Sequence, residues 1–332
     1  MFSSAAILGT GSFGTALASL IGSRISDVVM IGRDPVTVDS INLAHRNPRY
    51  ISDIDLPESV RAEIGMNHAS LHPLILFCVP TSVTRQAATD LAEAGVPEET
   101  VLVSCAKGIE RGTGDRMSVI LKEVFPNNPV AVLSGPNHAE EIARDLATCA
   151  VIGCTNESIA CQLQEVFTAP HFRSYTSDDL PGIELGGAIK NVYAIAAGIA
   201  SGLNLGDNAI SALVTRALAE MTRLGVRLGG RVETFAGLSG VGDLIATCFS
   251  AHSRNHRVGL ALGQGKSLEE AVNALGMVAE GVPNTLSIYE AARDAGVRTP
   301  IIDAVHAILY EDMPAAWALS QLLNRDPRPE NE

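Results

Sequence analysis

The 332-residue sequence has no Cys-x-x-Cys pair, no basic amino-terminal region and no excess of positive charge. Each absence removes a class of protein. The six cysteines (Cys78, Cys105, Cys149, Cys154, Cys161, Cys248) are scattered, several in apolar strand-like runs where cysteine acts as a small hydrophobe. That usage favours reduced thiols in a cytoplasmic protein over a disulfide framework. His252 and His256 have a metal-like spacing, but no convincing third ligand accompanies them and Arg254 and Arg257 add like charge, so no metal is expected. The apolar stretch near the amino terminus is broken by Gly9, Gly11 and Gly14, which argues against a signal peptide. No apolar run reads as long enough and free enough of polar residues to span a bilayer. A net charge of −13 argues against nucleic acid or an anionic membrane as partner. A small anionic substrate stays open, because a few local cations can dominate a pocket. There is no internal repeat, and the tail from Asn324 is expected to fray.

What is present is an ample core. Hydrophobic residues make up 46% of a chain long enough for two domains. The first half predicts an α/β, doubly wound Rossmann-type domain. Ala5–Leu8 is a short apolar strand, Gly9-Thr10-Gly11-Ser12-Phe13-Gly14 follows, and Thr15 to Ser23 reads as a helix. Strand, G-x-G-x-x-G and helix in that order form the dinucleotide fingerprint. Gly9 permits the tight turn, Gly11 lets backbone approach the pyrophosphate, and Gly14 lets helix pack on strand. A second strand, Val28–Ile31, ends at Gly32-Arg33-Asp34, where an acid meets a ribose 2′-hydroxyl or an arginine meets a 2′-phosphate. Arg33 coming first favours NADP(H), with NAD(H) still open; the plain alternative is a solvated Arg–Asp pair. Strands are further expected at 74–79, 101–105 and 130–133, alternating with helices at 83–94, 115–124 and 137–143. Ligands bind beyond the carboxyl ends of such strands, where Lys107 and Ser134-Gly135-Pro136-Asn137 lie. Lys107 is read as a ligand contact rather than a surface charge.

From about Ile183 strands give way to helices. The reading is a dinucleotide-binding domain over 1–182 and an all-helical substrate and catalytic domain over 183–332. Lys190, in Gly186-Gly187-Ala188-Ile189-Lys190-Asn191, is the only charge between Leu185 and Ala200. A helix this apolar should be buried on every face. A lysine there must be paired or have its pKa lowered, further so in a first helical turn; such a lysine can pass a proton near neutral pH. The plain alternative is a lysine that snorkels out or neutralises a buried carboxylate. Asp243, in Gly240-Val241-Gly242-Asp243-Leu244, reads on its own as a helix N-cap. Ser253-Arg254-Asn255 can grip a phosphate, with Arg254 otherwise an ordinary surface cation.

Taken in order, the fingerprint, Lys107, Ser-Gly-Pro, Gly-Gly-Ala-Ile-Lys-Asn, Gly-Val-Gly-Asp-Leu and Ser-Arg-Asn resemble the bacterial-type NAD(P)-dependent glycerol-3-phosphate dehydrogenases, from about Ala6 to Leu323. The resemblance implies hydride transfer between NAD(P)H and dihydroxyacetone phosphate, giving sn-glycerol 3-phosphate for phospholipid synthesis. It implies that Lys190 donates the proton in reduction and that Asp243 is a catalytic residue lining the substrate site. Lys107, Gly135, Asn137, Asn191, Ser253, Arg254 and Asn255 would line the substrate site. Ser12, Phe13, Arg33, Lys107, Ala139, Arg254, Val278 and Glu280 would touch the cofactor. Asn137 departs from the Ser or Thr common in bacterial members, and residues 61–73 match poorly and carry no assigned function. The competing readings are a two-domain hydroxyacid or ketopantoate-type dehydrogenase and a non-catalytic NADPH sensor. A homodimer is compatible with the apolar helical half.

Overall fold

The computed structural model of the protein describes residues 2–276, 278–323 and 329. The tail expected to fray from Asn324 lies outside the described residues, Pro329 excepted. Eight strands form one sheet: β1 (Ala5–Leu8), β2 (Val28–Ile31), β3 (Val60–Glu63), β4 (Leu74–Phe77), β5 (Val101–Ser104), β6 (Val130–Ser134), β7 (Thr148–Gly153) and β8 (Phe172–Ser177). Their order is β3-β2-β1-β4-β5-β6-β7-β8. Every neighbouring pair is parallel except β6 with β7. The order reverses between β1 and β4, the switch point where a doubly wound sheet opens its crevice.

The buried strand residues alternate between two cores. Ala5, Ile7, Val28 and Met30 face one side, with the helices Ser12–Gly22 and Glu157–Phe167 contributing to it. Ala6, Leu8, Val29 and Ile31 face the other, with Ala88 and Leu91 of Thr84–Glu93 and Leu121 of Met117–Val124. Strands covered on both faces read as continuous apolar runs, which is why β1, β2, β4, β5 and β6 were visible in the sequence. The helix expected at 137–143 is a single turn, Ala139–Ile142.

After β8 no strand occurs among the described residues. The helix Leu180–Gly202 is the axle of this part. Asp179 caps it by accepting from Gly182 N at 3.1 Å, and a proline sits in its first turn. Every residue from Gly182 to Ala200 is buried. Around it pack Asp207–Arg227, Asp243–Phe249, Arg254–Gly263, Gly281–Asp294 and Pro300–Tyr310. Its crossing with Arg254–Gly263 is backbone to backbone: a Cβ on Gly198 would stand 2.1 Å from His256 O, and one on Gly259 would stand 2.0 Å from Ile195 O.

One expectation needs correction. By length and composition, Leu180–Gly202 and the segment Val232–Phe249 are apolar enough to cross a membrane. The first is buried from Gly182 to Ala200 by other protein elements, as a core helix is. The second is three short helical pieces broken at Ala236 and Gly237 and carries buried Asp243.

Candidate active site

Lys190 is the eleventh residue of its helix, not a first-turn residue, so the helix terminus does not act on it. It is 4% exposed. Its Nζ donates to Asp243 Oδ1 and to Thr247 Oγ1, both at 2.6 Å. Asp243 is therefore no N-cap: it is the first residue of Asp243–Phe249, and its carboxylate points into the molecule. Lys107, on the loop after β5, donates to Asp243 Oδ2 at 2.8 Å, Asn137 Oδ1 at 2.7 Å and Gly135 O at 2.8 Å. One buried carboxylate thus holds two ammonium groups. Thr247, one helical turn beyond Asp243, also donates to Asp243 Oδ1 at 3.3 Å. It was missed in the sequence; its i+4 relation to Asp243 was the available signal.

The titration of this cluster follows from burial and charge. Burial pulls Lys107 down to about 8, against the attraction of Asp243 and with the repulsion of Lys190. Burial alone would raise the Asp243 carboxyl; the two lysines reverse this and hold it below its ordinary value. The nearby His138 is lowered, by burial first and then by the Lys190 charge.

The amides brace the cluster. Asn191 Nδ2 donates to Lys107 O at 3.0 Å and to Gly187 O at 3.2 Å. Asn255 Nδ2 donates to Asn191 Oδ1 at 2.9 Å, while its Oδ1 accepts from Gly281 N at 2.9 Å. Asn284, unnoticed in the sequence, donates to Lys107 O at 3.0 Å. Ser253 caps Arg254–Gly263 by accepting from His256 N at 3.2 Å. Arg254 lies half-buried and donates Nη1 to Val278 O at 2.8 Å. Asn137 is 4% exposed, and its Nδ2 is buried without a partner among the described residues. An amide donor left so costs free energy unless something else accepts from it.

The sequence-expected cofactor residues lie beyond the carboxyl ends of β1, β2, β5 and β6 or in the helical half. Gly9 has φ +111°, and a Cβ on Gly14 would stand 2.2 Å from Gly9 O, so both must be glycine. A Cβ on Gly11 would meet nothing within 4 Å, which leaves room for a ligand against the backbone. Ser12 and Phe13 open the helix Ser12–Gly22, whose amino end has neither a side-chain cap nor an acidic residue. Those free N–H groups fit a pyrophosphate. Arg33 is exposed and makes no hydrogen bond or ion pair among the described residues. It does not pair with Asp34, whose carboxylate accepts from Val36 N, Thr37 Oγ1 and Arg49 Nη1 at 3.2, 2.7 and 3.4 Å. Ala139 begins its one-turn helix near the crevice. Glu280 accepts from Thr81 Oγ1 at 2.7 Å, and burial raises its carboxyl. Val278 is 53% exposed and offers its carbonyl to Arg254.

A dinucleotide crevice that meets a buried lysine–carboxylate cluster defines a nicotinamide-dependent dehydrogenase by class. The sequence profile of the NAD-dependent glycerol-3-phosphate dehydrogenase N-terminus matches residues 4–160, and that of the C-terminus matches residues 179–320. The glycerol-3-phosphate dehydrogenase (NAD(P)+) of Clostridium perfringens is 41% identical over 329 residues, 99% of each chain. The crystal structure of glycerol-3-phosphate dehydrogenase from Coxiella burnetii superposes with a TM-score of 0.94 at 36% identity, covering 98% of this chain and 99% of that one. A ketopantoate reductase from Ralstonia eutropha covers 95% of this chain at TM-score 0.60 and 18% identity, which is likeness of fold alone. This chain belongs to the NAD-dependent glycerol-3-phosphate dehydrogenase family.

Proposed function

We propose that the chain interconverts dihydroxyacetone phosphate and sn-glycerol 3-phosphate with NAD(P)H, supplying glycerol 3-phosphate for phospholipid synthesis. One observation carries the assignment of roles. An ammonium has three N–H groups. Lys107 spends all three on Asp243, Asn137 and Gly135, whereas among the described residues Lys190 donates to two acceptors, Asp243 and Thr247. Lys190 therefore keeps one N–H for a substrate oxygen.

When bound, the nicotinamide supplies the hydride. Lys190 faces the oxygen on which negative charge develops, stabilises it and gives it the proton. In the reverse direction it takes the proton back. Asp243 orients Lys190 and, through Lys107, fixes the loop after β5. The orphan Asn137 Nδ2 donates to a second substrate oxygen, so Asn does the work of the usual Ser or Thr. Arg254 has guanidinium N–H groups beyond the one given to Val278, and these suit a phosphate. Arg33, free at the end of β2, suits a 2′-phosphate, while Asp34 is committed elsewhere; both favour NADP(H). We further propose a cytoplasmic location and a homodimer compatible with the apolar helical half; sedimentation of the purified protein tests the dimer.

The deciding experiment is NADPH oxidation with dihydroxyacetone phosphate beside unphosphorylated dihydroxyacetone. Turnover confined to the phosphate ester is expected. NADPH binding without turnover on either compound would overturn the reading.

A further inference from the structure

All six cysteines are free, and two of them stand side by side. β4 and β5 run parallel with Phe77 beside Ser104. One residue on, Cys78 and Cys105 continue that register: Cys105 N donates to Phe77 O at 3.0 Å, and Cys78 N donates to Leu8 O at 2.9 Å. Neighbouring strands lie about 4.8 Å apart, within the Cα separation that a disulfide spans. Residues in register send their side chains to the same face of the sheet. Burial first, and then the neighbouring Cys78, raise the Cys105 thiol above its ordinary value. Cys105 is 5% exposed, whereas Cys78 is half-buried.

Their place in the fold matters more than their proximity. A Cβ on Gly9 would stand 2.7 Å from Cys78 O, and one on Gly14 would stand 3.4 Å from Cys78 Cβ. Cys78 is thus the floor of the glycine turn. Cys105 is two residues before Lys107, at the root of the loop that enters the cation cluster.

We propose that Cys78 and Cys105 form a reversible thiol–disulfide site through which hydrogen peroxide shuts the cofactor crevice. The inference rests on the glycine turn being the dinucleotide site, as argued above. The more accessible Cys78, as thiolate, attacks one peroxide oxygen. The O–O bond breaks, Cys78 becomes a sulfenic acid, and the departing hydroxide is protonated to water. The Cys105 sulfur then displaces the sulfenic oxygen, which leaves as a second water with the Cys105 proton. Two thiols are oxidised to one disulfide, and one peroxide is reduced to two waters. A dithiol reductant reverses the reaction by exchange. The strands need no approach; the bridge brings the two sulfurs to bonding distance beneath the turn, and the repacking of both side chains displaces Gly9–Gly14 and the Lys107 loop. A bound dinucleotide covers Cys78 and slows its oxidation.

The test treats the full chain with hydrogen peroxide, with and without NADPH, then maps disulfides by mass spectrometry and measures NADPH binding by fluorescence. A Cys78–Cys105 cross-link is expected, with loss of NADPH binding, recovery in dithiothreitol and protection by NADPH. Cys105→Ser should keep NADPH binding after the same treatment. The proposal is overturned if Cys78 proceeds to sulfinic acid with no cross-link, if only the exposed Cys161 reacts, or if the cross-linked protein binds NADPH normally. The wild-type map stands alone if the variant fails to fold. Absence of NADPH binding in the reduced protein would instead sink the functional reading and leave the cross-link to be judged separately.

Discussion

Lys190→Met, set beside Lys107→Met, separates the two lysines by what each has left to give. Methionine preserves the length and apolar bulk of the side chain within a fully buried helix. In Lys190→Met, Asp243 keeps Lys107 at 2.8 Å and Thr247 at 3.3 Å, so no charge is orphaned. The fold should lose at most about 3 kcal/mol, since a buried ammonium carries its own desolvation cost. The chemical step loses its proton donor, a factor of about 10²–10⁴, and the charge opposite the developing alkoxide, about 10²–10³. Both come from one N–H, so they do not simply multiply. A fall in kcat of about 10³–10⁵ is expected, roughly 4–7 kcal/mol in barrier. Lys107→Met removes a group whose N–H bonds are all internal; kcat should fall about 10–100-fold while KM for the phosphate ester rises. Steady-state kinetics at 340 nm (the ordinary NADPH absorbance band) and NADPH binding by fluorescence read the two effects. NADPH binding should survive in Lys190→Met. The reasoning fails if Lys190→Met keeps kcat within about tenfold of wild type, or if Lys107→Met loses as much kcat as Lys190→Met.

Asp243→Asn leaves two ammonium groups facing each other without a counter-charge; thermal unfolding should show a loss of about 3–5 kcal/mol, and an unchanged Tm would refute the shared-carboxylate account. Because burial brings Lys107 to about 8, its charge fades as pH rises through that value, so kcat/KM for the phosphate ester should fall above about pH 8; a flat profile to pH 10 counts against it. Lys107 is depressed, so its contribution to stability is present above its ordinary value and is lost as pH falls through about 8. Glu220 is 1% exposed, accepts from Ile301 N and Ile302 N at 3.1 and 3.0 Å, and is raised by burial to about 7. The sign is opposite there: the contribution is full below the ordinary glutamate range and is lost as pH rises through about 7, so Tm should drop across that window and Glu220→Gln should flatten the drop. Arg33→Ala should weaken NADPH by about 10–100-fold and NADH far less; equal losses would show that Arg33 does not read the 2′-phosphate.

How much of this was legible follows from how local each signal is. β1, the fingerprint and β2 are consecutive and buried on both faces, so pattern and position coincide. β3 and β8 are edge strands with alternating exposure, Val60-Arg61-Ala62-Glu63 and Phe172-Arg173-Ser174-Tyr175-Thr176-Ser177, and they lack the apolar run that marked the others. β7 is buried but lies antiparallel to β6, a pairing that no local pattern announces. Lys190 stood out because one charge in an apolar helix needs a partner. Its partner, Asp243, lies 53 residues away, and the sequence offered only the local reading, a cap. The glycines at 186 and 187 look like helix breakers yet lie inside the helix: a Cβ on Gly186 would stand 2.3 Å from Ser239 O, so close packing demands glycine there. That is why Lys190 fell mid-helix and not in a first turn. Thr247 and Asn284 carried no sequence signal strong enough to separate them from ordinary helix residues.

The contrast between Lys190, 4% exposed, and Arg33, exposed at the end of β2, sets how this enzyme can change. The residues proposed to touch the reacting atoms are walled in by one another, so a substitution at any of them disturbs several hydrogen bonds at once. The residue proposed to read the far end of the cofactor is exposed and makes no hydrogen bond or ion pair among the described residues. Preference for one nicotinamide over the other is thus free to drift by single mutations, while the chemistry is not. A lineage carrying this scaffold can be re-coupled to a different pool of reducing equivalents without having to rebuild its catalytic centre.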